Sequence, residues 1–432
     1  MRIRWMRCIA LLPVFIGQCW GQATPMRLTL AQAQNLAVQN HPQLAAARFS
    51  ASASHQVPLE LRSAEQPQLS GSLTGVGADN GSRLAAGFLN NPTLYSRIGA
   101  GVSLNQLVTD FGRTKTLIQS ADLHAQAQDQ ITEATRTQIL LAVDRAYFDE
   151  LRAEAVLKVA QETVSARQLV ADQIGALQRS SLRSTLDVSF ANVNLSDAKL
   201  LLVTAQNNIN AAQVQLANTL GLPAQAQQGG FVLSPEPAPG PLPTTAQPLI
   251  DQALRDRPDA GALRLEQTSA ERTARAEHDL YFPTISVAGV AGVVPTGVSE
   301  VPGRYGGIGV NVNVPIFNGH LFKARQTEAE LRAQAAAQNL KVLENLIQRD
   351  VQVAYLNATT AFQRIGLTAE LLEQARMAAD LAQSRYDIGL GSIVELSQAQ
   401  LNVTAAEIAN SSAEYDYQTE RANLAFQTGA LR

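Results

Sequence analysis

Tyr305-Gly306-Gly307-Ile308-Gly309-Val310-Asn311-Val312-Asn313-Val314 alternates apolar with small or polar side chains. Arg97-Ile98-Gly99-Ala100-Gly101-Val102-Ser103-Leu104-Asn105 does the same 208 residues earlier. A period of two marks a strand. On a soluble sheet it gives one buried face. In a transmembrane barrel it turns apolar side chains to lipid and polar ones to water, over strands of about 10 residues. The lengths here fit the second case. Pro67 to Gly77 and Pro283 to Val293 are the expected partner strands. Turn-rich segments join each pair: Asp79, Asn80, Gly81, Asn90, Asn91 and Pro92 in the first, Pro295 to Gly303 in the second. Both read as external loops.

The repetition extends beyond the strands. Leu36-Ala37-Val38-Gln39-Asn40-His41-Pro42 resembles Gln252-Ala253-Leu254-Arg255-Asp256-Arg257-Pro258, 216 residues on, and Pro67-Gln68-Leu69 matches Pro283-Thr284-Ile285 at that offset. From Asp110, which pairs with Asn318, the offset is 208. Ala146-Tyr147-Phe148 then pairs with Ala354-Tyr355-Leu356, Leu186-Asp187-Val188 with Val394-Glu395-Leu396, and Gly221 with Gly429. One unit is written twice. The expected organisation is a first unit over 24–221, a linker rich in Pro, Gly and Gln over 222–248, and a second unit over 249–432.

No proline occurs between Pro92 and Pro223 or after Pro315. A proline inside a helix costs about 3 kcal/mol or more, so these stretches admit very long helices, expected near 113–220 and 321–428. Leu195, Ala198, Leu202, Ala205, Ile209, Ala212 and Leu216 form a heptad seam, and Leu340, Leu343, Ile347, Val351 and Ala354 form another. A helix from Arg113 to Leu177 would be about 100 Å long at 1.5 Å per residue. It must pack beside others of its kind. The fold class is mainly α with a small transmembrane β part: a long antiparallel α-helical barrel plus four β-strands per protomer. Four strands cannot close a barrel, which takes about eight, and open edges are excluded from lipid. Three copies would supply a 12-stranded barrel, so a homotrimer is expected.

A net charge of -3 argues against a nucleic-acid partner. Arg2, Arg4 and Arg7 precede the apolar stretch Cys8 to Ile16, and Gly21-Gln22-Ala23 offers small residues at a cleavage site, so 1–23 reads as a signal peptide. An uncleaved anchor and a lipoprotein acylated on Cys19 are the alternatives. Cys8 and Cys19 both lie in this stretch, leaving a mature chain without thiols. Later apolar stretches are all broken by Gln, Asn, Asp or Arg, so any membrane crossing is by a barrel.

The duplicated layout, the strand-to-helix junctions Thr109-Asp110-Phe111-Gly112-Arg113 and Phe317-Asn318-Gly319-His320, and the turn Arg385-Tyr386-Asp387-Ile388-Gly389-Leu390-Gly391-Ser392-Ile393-Val394-Glu395-Leu396 resemble the TolC family of outer-membrane efflux and secretion channels. The resemblance implies a passive conduit across outer membrane and periplasm. A periplasmic adaptor (membrane fusion) protein and an inner-membrane pump would gate it at its periplasmic tip. Type I protein secretion is the alternative use, and a secreted structural coiled-coil protein the rival of another class. Two departures stand out: His320-Leu321 at the second junction, and a first tip, Gln178 to Val188, with Arg179 and Arg183 but no Tyr or Gly.

Asp172 and Asp380 occupy repeat-equivalent positions before the tips. In a trimer they would form an acidic ring favouring cations, unless each is a solvated Asp on an outer face. Glu162 and Glu370 match likewise, as weaker candidates. Arg179, Arg183 and Arg385 could hold a closed tip through pairs worth about 0–1 kcal/mol each. The implied tip and adaptor contacts are these three with Leu186, Asp187, Tyr386, Gly389, Ser392, Val394, Glu395 and Leu396. Asp110, Gly112, Asn318 and Gly319 are expected to turn strand into helix. The five histidines are scattered and no nucleotide or hydrolase motif occurs, so neither an enzyme nor a cofactor is expected.

Overall fold

The computed structural model describes residues 26–79, 96–222, 231–237, 240–295 and 303–431. The expected signal peptide with both cysteines, most of each segment expected as an external loop, and the start of the expected linker lie outside the described residues.

The first unit begins with strand β1 (Met26–Leu28) and helices α1 (Leu30–Asn40), α2 (Pro42–Ser54) and α3 (Gln56–Arg62). Strands β2 (Gln68–Val76) and β3 (Arg97–Thr109) lead into helices α4 (Arg113–Arg179) and α5 (Thr185–Thr219). The linker contributes strand β4 (Phe231–Leu233). The second unit follows with α6 (Gln247–Asp256), α7 (Pro258–His278), β5 (Thr284–Val293), β6 (Arg304–Asn313), α8 (Leu321–Asp387) and α9 (Ile393–Gln427). Helices α4 and α8 have 67 residues each, α5 and α9 have 35, and every boundary is displaced by 208. Among the described residues no helix is long and apolar enough to cross a membrane.

Each unit closes on itself. Gly221 (φ 69°) lies under the corner between α1 and α2, where a Cβ would come within 2.9 Å of Asn40 O and His41 Cα. Gly429 (φ 72°) fits under Asp256 and Arg257 in the same way. Proline begins the helix after each corner, where its missing N–H costs nothing. The linker is strapped on by tyrosines. Tyr147 donates to Ser234 O (2.6 Å), Tyr355 to Pro243 O (2.9 Å) and Tyr417 to Gly240 O (2.8 Å).

The four-stranded sheet runs β2-β3-β5-β6 with every pairing antiparallel. Its register sorts the side chains by face. Leu69, Leu73, Leu104, Val102, Val287, Ile308 and Val310 share one face. Gln68, Ser70, Ser103, Asn105, Ser286 and Asn311 share the other. Tyr305 lies on the polar face across Gly292 and Gly101, where a Cβ would meet its hydroxyl at 2.5 and 2.1 Å. Among the described residues, strands β2 and β6 each lack a neighbour on their outer edge.

At the first junction Asp110 accepts from Gly112 N (3.2 Å), Thr114 N (2.8 Å) and Thr114 Oγ1 (2.5 Å), satisfying free donors at the start of α4. Left-handed backbone is taken by Phe111 and Gly112 in the first copy, and by Gly319 and His320 in the second. The glycines singled out by sequence are thus not equivalents. Gly112 corresponds to His320, which adopts the strained conformation as a non-glycine residue. At the second junction the Asn318 carbonyl accepts from Leu321 N (3.2 Å).

Candidate functional site: the helical tips

Both tips end a 67-residue helix with the same backbone turn. Leu182 N donates to Leu177 O (2.9 Å) in the first, Leu390 N to Arg385 O (2.8 Å) in the second. The left-handed position falls on Ser181 in the first and on Gly389 in the second. Ser184 and Asp187 form a reciprocal cap, Asp187 N donating to Ser184 Oγ and Ser184 N to Asp187 Oδ2, both 3.1 Å. Ser392 accepts from Glu395 N (3.1 Å), but the Glu395 carboxylate turns to Arg385 Nε at 3.5 Å instead. Asp187, Gly389, Ser392 and Glu395 therefore shape the turns. Arg179 is exposed, as are Leu182, Leu186, Ile388, Leu390 and Val394, which form an apolar rim.

Sequence equivalence hid the main contact between the tips. The Arg183 guanidinium sits 4.0 Å from the centroid of the Tyr386 ring and donates to Tyr386 O at 2.9 Å. Its repeat counterpart is Gly391, which has no side chain to offer. Tyr386 and Leu396 are both buried, in a cluster with Ile174, Leu195, Ala382 and Ile393. They bind the two tips together rather than present a surface, a correction to their expected part in partner contact. The Tyr386 hydroxyl is buried with no hydrogen-bond partner. Burial, with Asp187 nearby, pushes its pKa up.

The helices below the linker form a row, α5–α4–α9–α8, by their packing. One face carries a groove of about 1000 Å³ lined by Leu151, Lys158, Glu162, Glu407, Glu414 and the linker residues Leu233 and Pro235. The opposite face carries Asp149, Arg152, Arg364, Asp416 and Glu420. There Arg152 bridges Asp149 (2.8 Å) and Asp416 (3.1 Å), and Arg364 approaches Asp416 at 3.6 Å. The four acids expected at a ring do not converge. Glu162 lines the linker-side groove. Asp172 stands two heptads beyond Lys158, on that same side, and accepts from Gln168 (3.0 Å). Asp380 lies one turn from Arg376, another groove residue. Glu370 follows the exposed flank of Leu356 and Met377. Repeat equivalence identifies matching positions, but not the direction in which they point. Glu395, three heptads before Asp416 on α9, is the tip acid on the opposite face.

Two buried carboxyls lie higher on α4. Asp144, 3% exposed, accepts from Gln34 (2.6 Å), and burial raises its pKa to about 6. Glu150, 2% exposed, has one oxygen without a partner. Burial, with Glu154 adding to it, raises its pKa to about 7. Among the described residues no group of three or more His, Cys, Asp or Glu could hold a metal ion.

An amphipathic four-stranded sheet continued into helices of this length defines a subunit of an outer-membrane channel. The chain belongs to the outer membrane efflux protein family, which matches residues 33–222 and 249–430. It is 24% identical to the outer membrane protein TolC of Escherichia coli K12 over 446 residues, covering 98% of this chain and 86% of that protein. A membrane protein from Pseudomonas aeruginosa shares the fold with a TM-score of 0.80 at 22% identity, covering 93% of both chains. The outer-membrane channel OprN does so with a TM-score of 0.81 at 18% identity, over 93% of this chain and 89% of that one. The chain is therefore an efflux channel component of the outer membrane. The rival expectation of a secreted coiled-coil protein falls with this match.

Proposed function

We propose that three copies of this chain close into one passive conduit, with a 12-stranded barrel in the outer membrane and a helical tunnel in the periplasm. The observation that carries this reading is that sheet and helical row are both open at matching ends. The sheet ends in β2 and β6. The row ends in α5 and α8, and each of these has a second, unused heptad stripe. Leu186, Val193, Leu200 and Val214 are exposed on α5 at multiples of seven, and Leu346, Val353, Leu367 and Leu381 on α8. Pairing β6 with the next copy's β2, and α8 with its α5, covers all four edges at once.

The two units, 24–221 and 249–432 joined by 222–248, supply two hairpins per copy. The polar sheet face lines the pore and the apolar face meets lipid. The tips form the closed periplasmic end, with Arg183 and Tyr386 as the latch between hairpins. An adaptor meeting the apolar rim would part them, and an inner-membrane pump would supply the energy. Outer-membrane fractionation followed by mild gel electrophoresis tests this. A heat-modifiable trimer is expected, and a monomer in the outer membrane would refute the reading.

A further inference from the structure

Tyr305 is the second residue of β6, at the loop end of the sheet and away from the helices. Its register row across the sheet is Ser72–Gly101–Gly292–Tyr305. Side chains of a strand stand roughly perpendicular to the sheet, but this ring lies down along its row. A Cβ on Gly292 would come within 2.5 Å of Tyr305 Cζ, and one on Gly101 would overlap the hydroxyl. Where an aromatic ring only shields a weak point in a strand, one glycine is enough. Here two neighbouring strands are left bare in the same row, and each glycine weakens the strand that holds it. Lying flat, the ring stays out of the bore yet turns a face toward it, and Tyr305 is 45% exposed.

The wall beside the ring is equally smooth. The next row toward the helices is Ser70–Ser103–Val290–Gly307. Val290 is half-exposed, and a Cβ on Gly307, or on Gly309 one row further, would meet nothing within 4 Å. A planar molecule can lie against this floor in contact with the ring. Deeper in, the same face carries the hydroxyl pair Ser70–Ser103 (2.7 Å) and the amides of Gln68 and Asn105. An aromatic step at the mouth thus follows a hydroxyl- and amide-bearing wall. The residue 208 positions before Tyr305 is Arg97, so a closed trimer has three such rings, one per copy, rather than six.

We propose that Tyr305 is a cargo-contact residue of the barrel's outer mouth: three rings, each stowed in a two-glycine slot, stack planar aromatic molecules as they leave. This rests on the trimeric conduit proposed above. The test uses the full-length channel in planar bilayers, with ethidium added on the loop side as the planar probe. Tetrapropylammonium, a cation without a ring, is the control. Ethidium is expected to reduce the current of open events at concentrations where tetrapropylammonium does not. Y305L keeps apolar bulk but loses the π-face, and should need about two- to tenfold more ethidium for the same block. Y305F should be blocked like the parent. Equal block of Y305L and the parent, equal block by both cations, or loss of block in Y305F overturns the proposal. Should Y305L not assemble, Y305W takes its place. Trp5 and Trp20 both precede Ala23, so Trp at 305 reports alone in a chain cleaved there. Saturable quenching of its emission by ethidium is then expected, and unsaturable quenching overturns the proposal. A parent that runs as a monomer sinks the conduit reading itself, whereas a trimer indifferent to Y305L sinks this inference alone.

Discussion

Replacing Arg183 with Ala removes both the stacking on Tyr386 and the hydrogen bond to Tyr386 O. A cation over an aromatic ring at a half-exposed site is worth about 0.5–1 kcal/mol. A charged donor on a carbonyl adds about 1 kcal/mol once solvent screening is allowed for. The latch then contributes roughly 1.5–2 kcal/mol per protomer, or about ten- to thirtyfold in the ratio of open to closed tips. Three latches acting together would multiply this to about a thousandfold or more. Single-channel recording in planar bilayers should show frequent open events in Arg183→Ala where the parent is mostly closed. Arg183→Lys keeps the charge but loses the planar stack, and should fall between the two. Tyr386→Phe supplies the control. The hydroxyl is buried with no partner, so its removal should leave the tip as closed as before or more so. If Tyr386→Phe opens the channel as much as Arg183→Ala, or if Arg183→Ala changes nothing, the latch account is wrong.

Other predictions concern the rest of the fold. The folded pKa of Glu150 is raised from 4.5 to about 7, so its charged form opposes folding. That penalty is absent below the unfolded value and complete above the folded one. It amounts to about 3 kcal/mol at 1.36 kcal/mol per unit. Glu150→Gln should therefore stabilise the protein at pH 8 but not at pH 4, as measured by denaturation midpoint. An equal gain at both pH values would contradict the assignment. His320 holds a left-handed conformation, so His320→Gly should stabilise by about 0.5–1 kcal/mol after allowing for glycine's extra entropy when unfolded, unless thermal melts show a loss. Gly292→Ala would put a Cβ 2.6 Å from Ala100 O, whereas Gly289→Ala would meet nothing nearer than Leu104 Cβ at 3.7 Å. Heat-stable trimer should be lost in the first variant and kept in the second, as read from gels.

Much of this architecture is legible in the sequence because it is doubled. The offset of 208 predicts the helix boundaries, since α4 and α8 share one proline-free heptad pattern. Alternation predicts the strands and their two faces, and the register confirms both. The site is less legible, for a physical reason. Arg183 meets Tyr386 across 203 positions that the repeat does not relate. Equivalence therefore pointed to Asp172 and Asp380, which match in sequence but lie toward the linker-side groove. Leu396 counts among the implied adaptor contacts by its place in the turn, but the heptad phase of α9 carries it into the core. Asp144 gave no sequence signal, because only the docking of α1 brings Gln34 to it. The left-handed Phe111 and His320 were hidden by the glycines beside them.

Electron cryomicroscopy of the detergent-solubilised protein tests the central claim most directly. The account predicts a three-fold particle whose barrel has twelve strands, with β6 of each copy paired to β2 of the next and α8 packed on the neighbouring α5. A particle of any other symmetry, or a three-fold one that leaves β2 and β6 unpaired, would contradict it.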